Sequence, residues 1–331
     1  MRLAPLLSLL CLVGCAPAPP RPAIVGDHVI AQPAFRSPLL VLEAGSGKVL
    51  AELPALGYAD APPTAKGLFF VHGDAGLVAR DAASGAPRWR VFSKASYFTR
   101  PVVTDTAVFV FDPKPEQHLW RGYATESGAK LFDVPVDAYS PLAAGGGLLF
   151  AIEEDALVAR SLVDGKTKYR VTKDVAAPIL AAEERFFARV GDSLGVFRSE
   201  NGRLERAIEV GTDALGTTGT IAPGLVVTTE VVAAAGEDAV RVFDAGTGKR
   251  RWETAIEDAE SVALDGELLV VGAAASVVGL DVATGKKRWS TALEDDLDGL
   301  DVSGGLVAAR AGARVVLLEA ATGKRRFVQD L

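Results

Sequence analysis

Three histidines, His28, His72 and His118, are the side chains best suited to bind a metal or shuttle a proton. They lie 44 and 46 residues apart, and none has a second ligand at the short spacing of a metal motif. They read as surface or strand histidines. Glu294, Asp296 and Asp298 alternate ahead of Gly299, as ligands do in a calcium loop. Gly305 then occupies the twelfth position, where a bidentate glutamate is required, so the stretch reads as a solvated connecting loop. No Gly-x-Ser-x-Gly elbow, Walker loop or dinucleotide fingerprint is present. The run Ala143-Ala144-Gly145-Gly146-Gly147 lies between expected strands and leads into no helix, which argues against a phosphate cradle. The residues therefore assign no catalytic, cofactor or metal site, and a non-enzymatic role is expected.

One charge constellation does recur. Lys249-Arg250-Arg251, Lys286-Lys287-Arg288 and Lys324-Arg325-Arg326 begin 37 and 38 residues apart. Acidic residues follow the first two triplets: Glu253, Glu257, Asp258 and Glu260, then Glu294, Asp295, Asp296, Asp298 and Asp301. Two readings are open. Charges on an outer strand block sheet-to-sheet aggregation. They can equally form a docking surface for a protein partner. Over the whole chain, 35 basic against 42 acidic residues leave a net charge of −7, which argues against nucleic acid.

The triplets belong to a longer pattern. A Ser, Thr, Asp or Asn followed by glycine recurs at Gly47, Gly85, Gly128, Gly165, Gly202, Gly248, Gly285 and Gly323. The intervals are 38, 43, 37, 37, 46, 37 and 38 residues. An acid stands four residues before the glycine in five copies: Glu43, Asp81, Asp244, Asp281 and Glu319. It reads as the acceptor that closes a tight turn. An aromatic stands four after it in six copies: Trp89, Phe132, Tyr169, Trp252, Trp289 and Phe327. Rings at one equivalent position imply a shared packing slot between neighbouring modules. Ala51 and Arg206 replace the ring in the other two copies, where looser junctions are expected.

Upstream of each turn lie short apolar runs such as Leu268-Leu269-Val270-Val271 and Val277-Val278-Gly279-Leu280. They are too short for helices. Each repeat thus holds four strands, A to D, with the glycine motif as the C–D hairpin. Four strands in about 40 residues make a propeller blade, and the fold is expected to be all-β: an eight-bladed β-propeller with four antiparallel strands per blade. The hydrophobic content of 49% is ample for a large core. Residues 23–25 would supply the first strand and residues 327–328 the last, so each blade is continuous in sequence. The seam should close by side-chain packing without an exchanged strand. Enlarged loops are expected near residues 113–118 and 212–223.

The repeat, best seen at residues 242–252 and 279–289, resembles that of quinoprotein-type (PQQ-like) propellers; WD40 repeats fit worse, because the Trp-Asp dipeptide is missing. Quinoprotein dehydrogenases of this kind carry a calcium site and a cysteine pair, whereas the only cysteines here are Cys11 and Cys15. Residues 12–15, Leu-Val-Gly-Cys, resemble a bacterial lipobox behind a short apolar stretch led by Arg2. That resemblance implies a signal peptide at 1–14 and a lipid on Cys15. A Pro-rich tether at 15–22 and the propeller at 23–331 would follow. Ala16 rather than Asp follows the cysteine, which in such lipoproteins favours the outer membrane. A lipid-anchored, eight-bladed propeller facing the periplasm is similar to the BamB family. The resemblance implies a monomeric scaffold that binds the barrel-assembly machinery and unfolded outer-membrane proteins. An envelope adaptor or sensor with other partners, and a quinone-dependent dehydrogenase, are the alternatives.

Overall fold

The computed structural model describes residues 21–34, 37–54, 62–73, 76–91, 101–113, 118–136, 142–153, 156–172, 174–215 and 224–331. Eight four-stranded sheets follow one another at residues 23–53, 64–91, 102–136, 142–171, 176–208, 225–255, 259–292 and 297–330. Every sheet has the strand order A-B-C-D, antiparallel throughout. Strands A of neighbouring blades touch one another, so A lines the axis and D forms the rim. The fold is the expected eight-bladed propeller.

The apolar residues do not gather in one core. They form eight clusters, each shared by two adjacent blades. This explains why strand B of blade seven reads as an unbroken apolar run. Leu269 and Val271 face blade six, whereas Leu268 and Val270 face blade eight. A strand covered on both faces loses the alternation of a half-exposed one. Between blades four and five the contact is aromatic, with Phe186 stacked on Phe197 at 4.7 Å and Phe150 4.6 Å from Phe186.

The conserved hairpin geometry is local in origin. In blade seven, Asp281 Oδ1 accepts from Thr284 N at 2.9 Å and from Thr284 Oγ1 at 2.8 Å. Gly285 closes the turn at φ +71°, where an L side chain is strained. Blades two and six repeat these bonds at Asp81 and Asp244, and Glu43 and Glu319 accept the Ser46 and Thr322 hydroxyls. The acid before the turn is thus the acceptor expected of it.

The aromatic four residues later reaches the next blade. Trp89 covers Gly128, Phe132 covers Gly165, Tyr169 covers Gly202, Trp252 covers Gly285, Trp289 covers Gly323 and Phe327 covers Gly47. Three indoles and the phenol also donate across the junction: Trp89 to Thr125 O at 2.9 Å, Trp252 to Val282 O at 2.8 Å, Trp289 to Ala320 O at 2.7 Å and Tyr169 to Ser199 O at 2.6 Å. The two copies without a ring are not hollow. Leu53 and Ala51 sit against Gly85, and the Arg206 stem sits against Gly248. Residues Thr212–Leu215 form a short helix whose Ala214 and Leu215 fill the blade five–six cluster. What those junctions lack is an aromatic ring, not packed atoms. Residues 216–223 and 114–117, where the enlarged loops were expected, lie outside the described residues.

Blades one and eight meet without an exchanged strand, as expected. Ile24, Val29 and Leu42 pack on Leu306, Ala308 and Leu317. Polar ties add to that packing. Ile24 N donates to Asp301 Oδ2 at 2.7 Å, and Arg310 donates to the carbonyls of Gln32 and Pro33.

His72 lies buried on strand B of blade two, with neither ring nitrogen hydrogen-bonded. Burial lowers its pKa from 6.5 to about 4. The unfolded chain therefore binds this proton first, and folding stability falls as pH drops from about 6.5 to about 4. A shift of this size is worth about 3 kcal/mol. Denaturant midpoints should be flat above pH 7 and decline across that window, and His72→Leu should flatten the decline. The turn acids titrate lower: Asp244 and Asp281 are held to about 2, by hydrogen bonds from Arg251 and Arg288 first and from the turn threonines next. Their contribution is present above the usual value of 3.8 and is lost only as pH falls from there toward 2.

Candidate docking face

Strand D of blades six, seven and eight runs Arg250–Ala255, Lys287–Ala292 and Arg325–Asp330. Lys249, Lys286 and Lys324 stand in the turn just before each strand. The triplets therefore lie on the face that carries the A–B and C–D turns. Glu257, Asp258, Glu294, Asp295 and Asp296 follow strand D and are exposed on the opposite face. Asp298 and Gly299 belong to strand A of blade eight (Leu297–Ser303) rather than to a loop, and Asp298 lies 3.6 Å from Arg310. Gly145 likewise ends strand A of blade four (Leu142–Gly145) and leads into strand B through a tight turn.

The nine triplet residues are not equivalent. Arg251 pairs with Asp244 at 2.7 Å, Arg288 with Asp281 at 2.5 Å and Arg326 with Glu319 at 3.7 Å. The third residue of each triplet thus braces the acid that closes its own hairpin, as Arg88 does for Asp81 at 3.0 Å in blade two. Arg250 pairs with Glu253, and Arg325 donates to Ala292 O. Lys249, Lys286, Lys287 and Lys324 are exposed and make no ion pair among the described residues. Of the nine triplet cations, these four lysines are the ones that no neighbouring group engages among the described residues, and they are what the triplets can offer to another molecule.

Blade five inverts the brace. Arg198 occupies the position of the turn acid and Glu205 that of the arginine, 2.6 Å apart. Arg185, from the A–B turn side, joins Glu205 at 3.1 Å and donates to Thr229 O in blade six. Burial would raise the Glu205 carboxyl, but hydrogen bonds from Arg185 and Arg198 outweigh it and hold the pKa below the ordinary value. These residues wall a cleft of about 630 Å³ between blades four and five, which Lys168, Tyr169 and Glu183 complete. Sequence reasoning missed this cluster. The signal was available: Arg and Glu seven residues apart stand at the two brace positions with their signs exchanged.

The three histidines remain apart, and no group of three or more His, Cys, Asp or Glu is placed to hold a metal among the described residues. No helix among them is long and apolar enough to cross a membrane. Cys15 lies outside the described residues.

The profile of the family described as outer membrane protein assembly factor BamB matches residues 41–291 and 236–331. Among solved structures, BamB from Moraxella catarrhalis superposes with a TM-score of 0.60 at 17% identity, over 88% of this chain and 93% of that one. Dihydro-heme d1 dehydrogenase NirN, solved in complex with DHE, gives 0.67 at 12% identity, over 96% and 77%. Saccharomyces cerevisiae Sqt1 gives 0.63 at 11% identity, over 89% and 93%. At these identities the structural likeness speaks for the fold alone. No curated protein sequence matches.

Proposed function

The chain belongs to the family of the outer membrane protein assembly factor BamB, and from that premise we propose that it is a non-catalytic scaffold of the bacterial envelope. In this reading a lipid on Cys15 holds the propeller at the outer membrane, facing the periplasm. Its C–D turn face docks on a protein of the barrel-assembly machinery. The observation that supports docking at this place is the set of free lysines Lys249, Lys286, Lys287 and Lys324, all on one face of three consecutive blades. Their complement would be an acidic surface. Arg251, Arg288 and Arg326 are engaged within their own hairpins and serve the fold.

This division of labour sets the test. Reversing whole triplets would break the hairpin braces and confuse unfolding with lost docking. Lys→Glu at positions 249, 286, 287 and 324 leaves the braces intact. The quadruple variant should keep its thermal midpoint within a few degrees, because exposed unpaired lysines contribute little to stability. Capture of barrel-assembly subunits from detergent-solubilised envelopes should fall roughly tenfold or more at physiological salt, and wild-type capture should weaken as salt rises. Unchanged capture by a folded quadruple variant would overturn the docking assignment.

A further inference from the structure

The path of the chain into the ring fixes which face of the disc a membrane anchor can hold. Strand A of blade one (Ala23–Val25) is innermost in its sheet and runs alongside strand A of blade eight. Two contacts set its register. Ile24 N bonds Asp301 Oδ2, and Arg21 lies over Gly299, where an added Cβ would meet Arg21 Cγ at 2.0 Å. Gly299 is the third residue of its strand, on the side where the chain arrives from strand D. Residue 21 therefore enters near the axis on the face of the B–C turns and D–A connections. That face is opposite the one bearing the four free lysines.

Covalent geometry then limits what a lipid on Cys15 could reach. Six residues separate positions 15 and 21, and a fully extended chain of that length spans at most about 21 Å. Strands of six residues make the disc roughly 20 Å thick, and four strands at about 4.8 Å spacing set the rim some 15–19 Å out from strand A. A path from residue 21 to the far face must run out to the rim and up the side, about 35–40 Å. A path through the axis would consume the whole reach in crossing the disc. Neither leaves length for a lipid to enter a bilayer.

We propose that, once lipidated on Cys15, this propeller stands with its B–C/D–A face toward the bilayer and its C–D turn face away from it. The proposal rests on the anchor reading given above. It fits the charge distribution. Glu257, Asp258, Asp295 and Asp296 are exposed on the membrane-side face, where they repel anionic headgroups and keep the disc standing off, while Glu294 is paired with Arg314. The free lysines then point into the aqueous compartment, where headgroups cannot occupy them and an acidic protein surface can.

The test uses full-length acylated protein in vesicles of phosphatidylethanolamine and phosphatidylglycerol that carry a headgroup energy-transfer acceptor. Acylation consumes the Cys15 thiol as a thioether, and Cys11 leaves with the signal peptide. A cysteine introduced as Asp296→Cys on one face, or Ala283→Cys on the other, is then the only thiol to label. Both parent positions are exposed. Transfer from position 296 should exceed that from position 283 at least about threefold, given a disc roughly 20 Å thick. Inserting a Gly-Ser linker of about 20 residues after Pro20 should bring the two values together. Equal or reversed transfer in the unmodified tether, with the acylated Cys15 peptide found by mass spectrometry, overturns the orientation alone. An unacylated Cys15 peptide overturns the anchor reading and the orientation with it.

Discussion

Replacing Gly323 by alanine is expected to destabilise the protein by about 3–4 kcal/mol, far beyond the usual effect of a surface methyl group. Gly323 closes the C–D turn of blade eight at φ +69°, which costs an L residue about 1 kcal/mol or more. The larger part comes from blade seven. A Cβ on Gly323 would lie 2.5 Å from Trp289 Cε3 and 2.9 Å from Thr291 Oγ1. Neither group can yield cheaply. The Trp289 indole donates to Ala320 O at 2.7 Å, and the Thr291 hydroxyl donates to Gly323 O itself at 2.7 Å. Trp289→Ala alone should cost about 3–5 kcal/mol, because it removes a buried ring and leaves a carbonyl without its donor. The two changes must not add. Once the ring is gone the methyl group has room, and only the strained φ remains. The double variant should therefore be about 2 kcal/mol more stable than the sum of the single effects. Denaturant unfolding of the four proteins measures that coupling. Additivity would mean that the ring and the glycine do not read each other across the junction.

This pairing shows what a single sequence can disclose about such a fold. The glycine and the aromatic were both legible, since each recurs at a fixed place in the module. Their relation was not, because the ring of one module covers the glycine of the next, about 30 to 40 residues on, or, for Phe327 over Gly47, at the other end of the chain. Periodicity reveals equivalence and says nothing of adjacency. The docking candidates show the same limit in another form. Nine cations stood in three equivalent triplets of the sequence, yet Arg251, Arg288 and Arg326 each fold back on an acid seven residues earlier. That spacing could have been read as a cross-strand pair, since it joins two strands of one hairpin. The inverted copy, Arg198 with Glu205, would have confirmed it. Other features left no trace. The burial of His72 depends on blades one and three covering both faces of its strand, and the eight separate clusters depend on ring geometry.

The seam between blades one and eight should be the weakest link in this ring, and Arg310→Met should reveal it. At every other junction the chain itself joins the two blades. Here only side chains and a few hydrogen bonds do. Arg310, on strand B of blade eight (Leu306–Ala311), is almost fully buried at 4% exposure. Its two terminal nitrogens donate to the carbonyls of Gln32 and Pro33 in blade one, and Asp298 lies 3.6 Å from its Nε. Methionine nearly preserves the volume and removes the charge and every donor. Three carbonyls, those of Gln32 and Pro33 across the seam and of Gly312 within blade eight, lose charge-assisted bonds and a half-buried carboxylate loses its partner, so a loss of about 3–5 kcal/mol is expected. The location of the effect matters more than its size. Amide exchange should accelerate first at the facing strands of blades one and eight, including the Ile24 amide that Asp301 accepts, while blades four and five keep their protection. Arg160→Met supplies the comparison. Arg160 bonds Glu153 and Gly165 O wholly within blade four, so its loss should loosen that blade and leave the seam closed. If both variants accelerated exchange uniformly around the ring, the seam would be no weaker than any other junction, and covalent connection between blades would contribute little to holding the toroid shut.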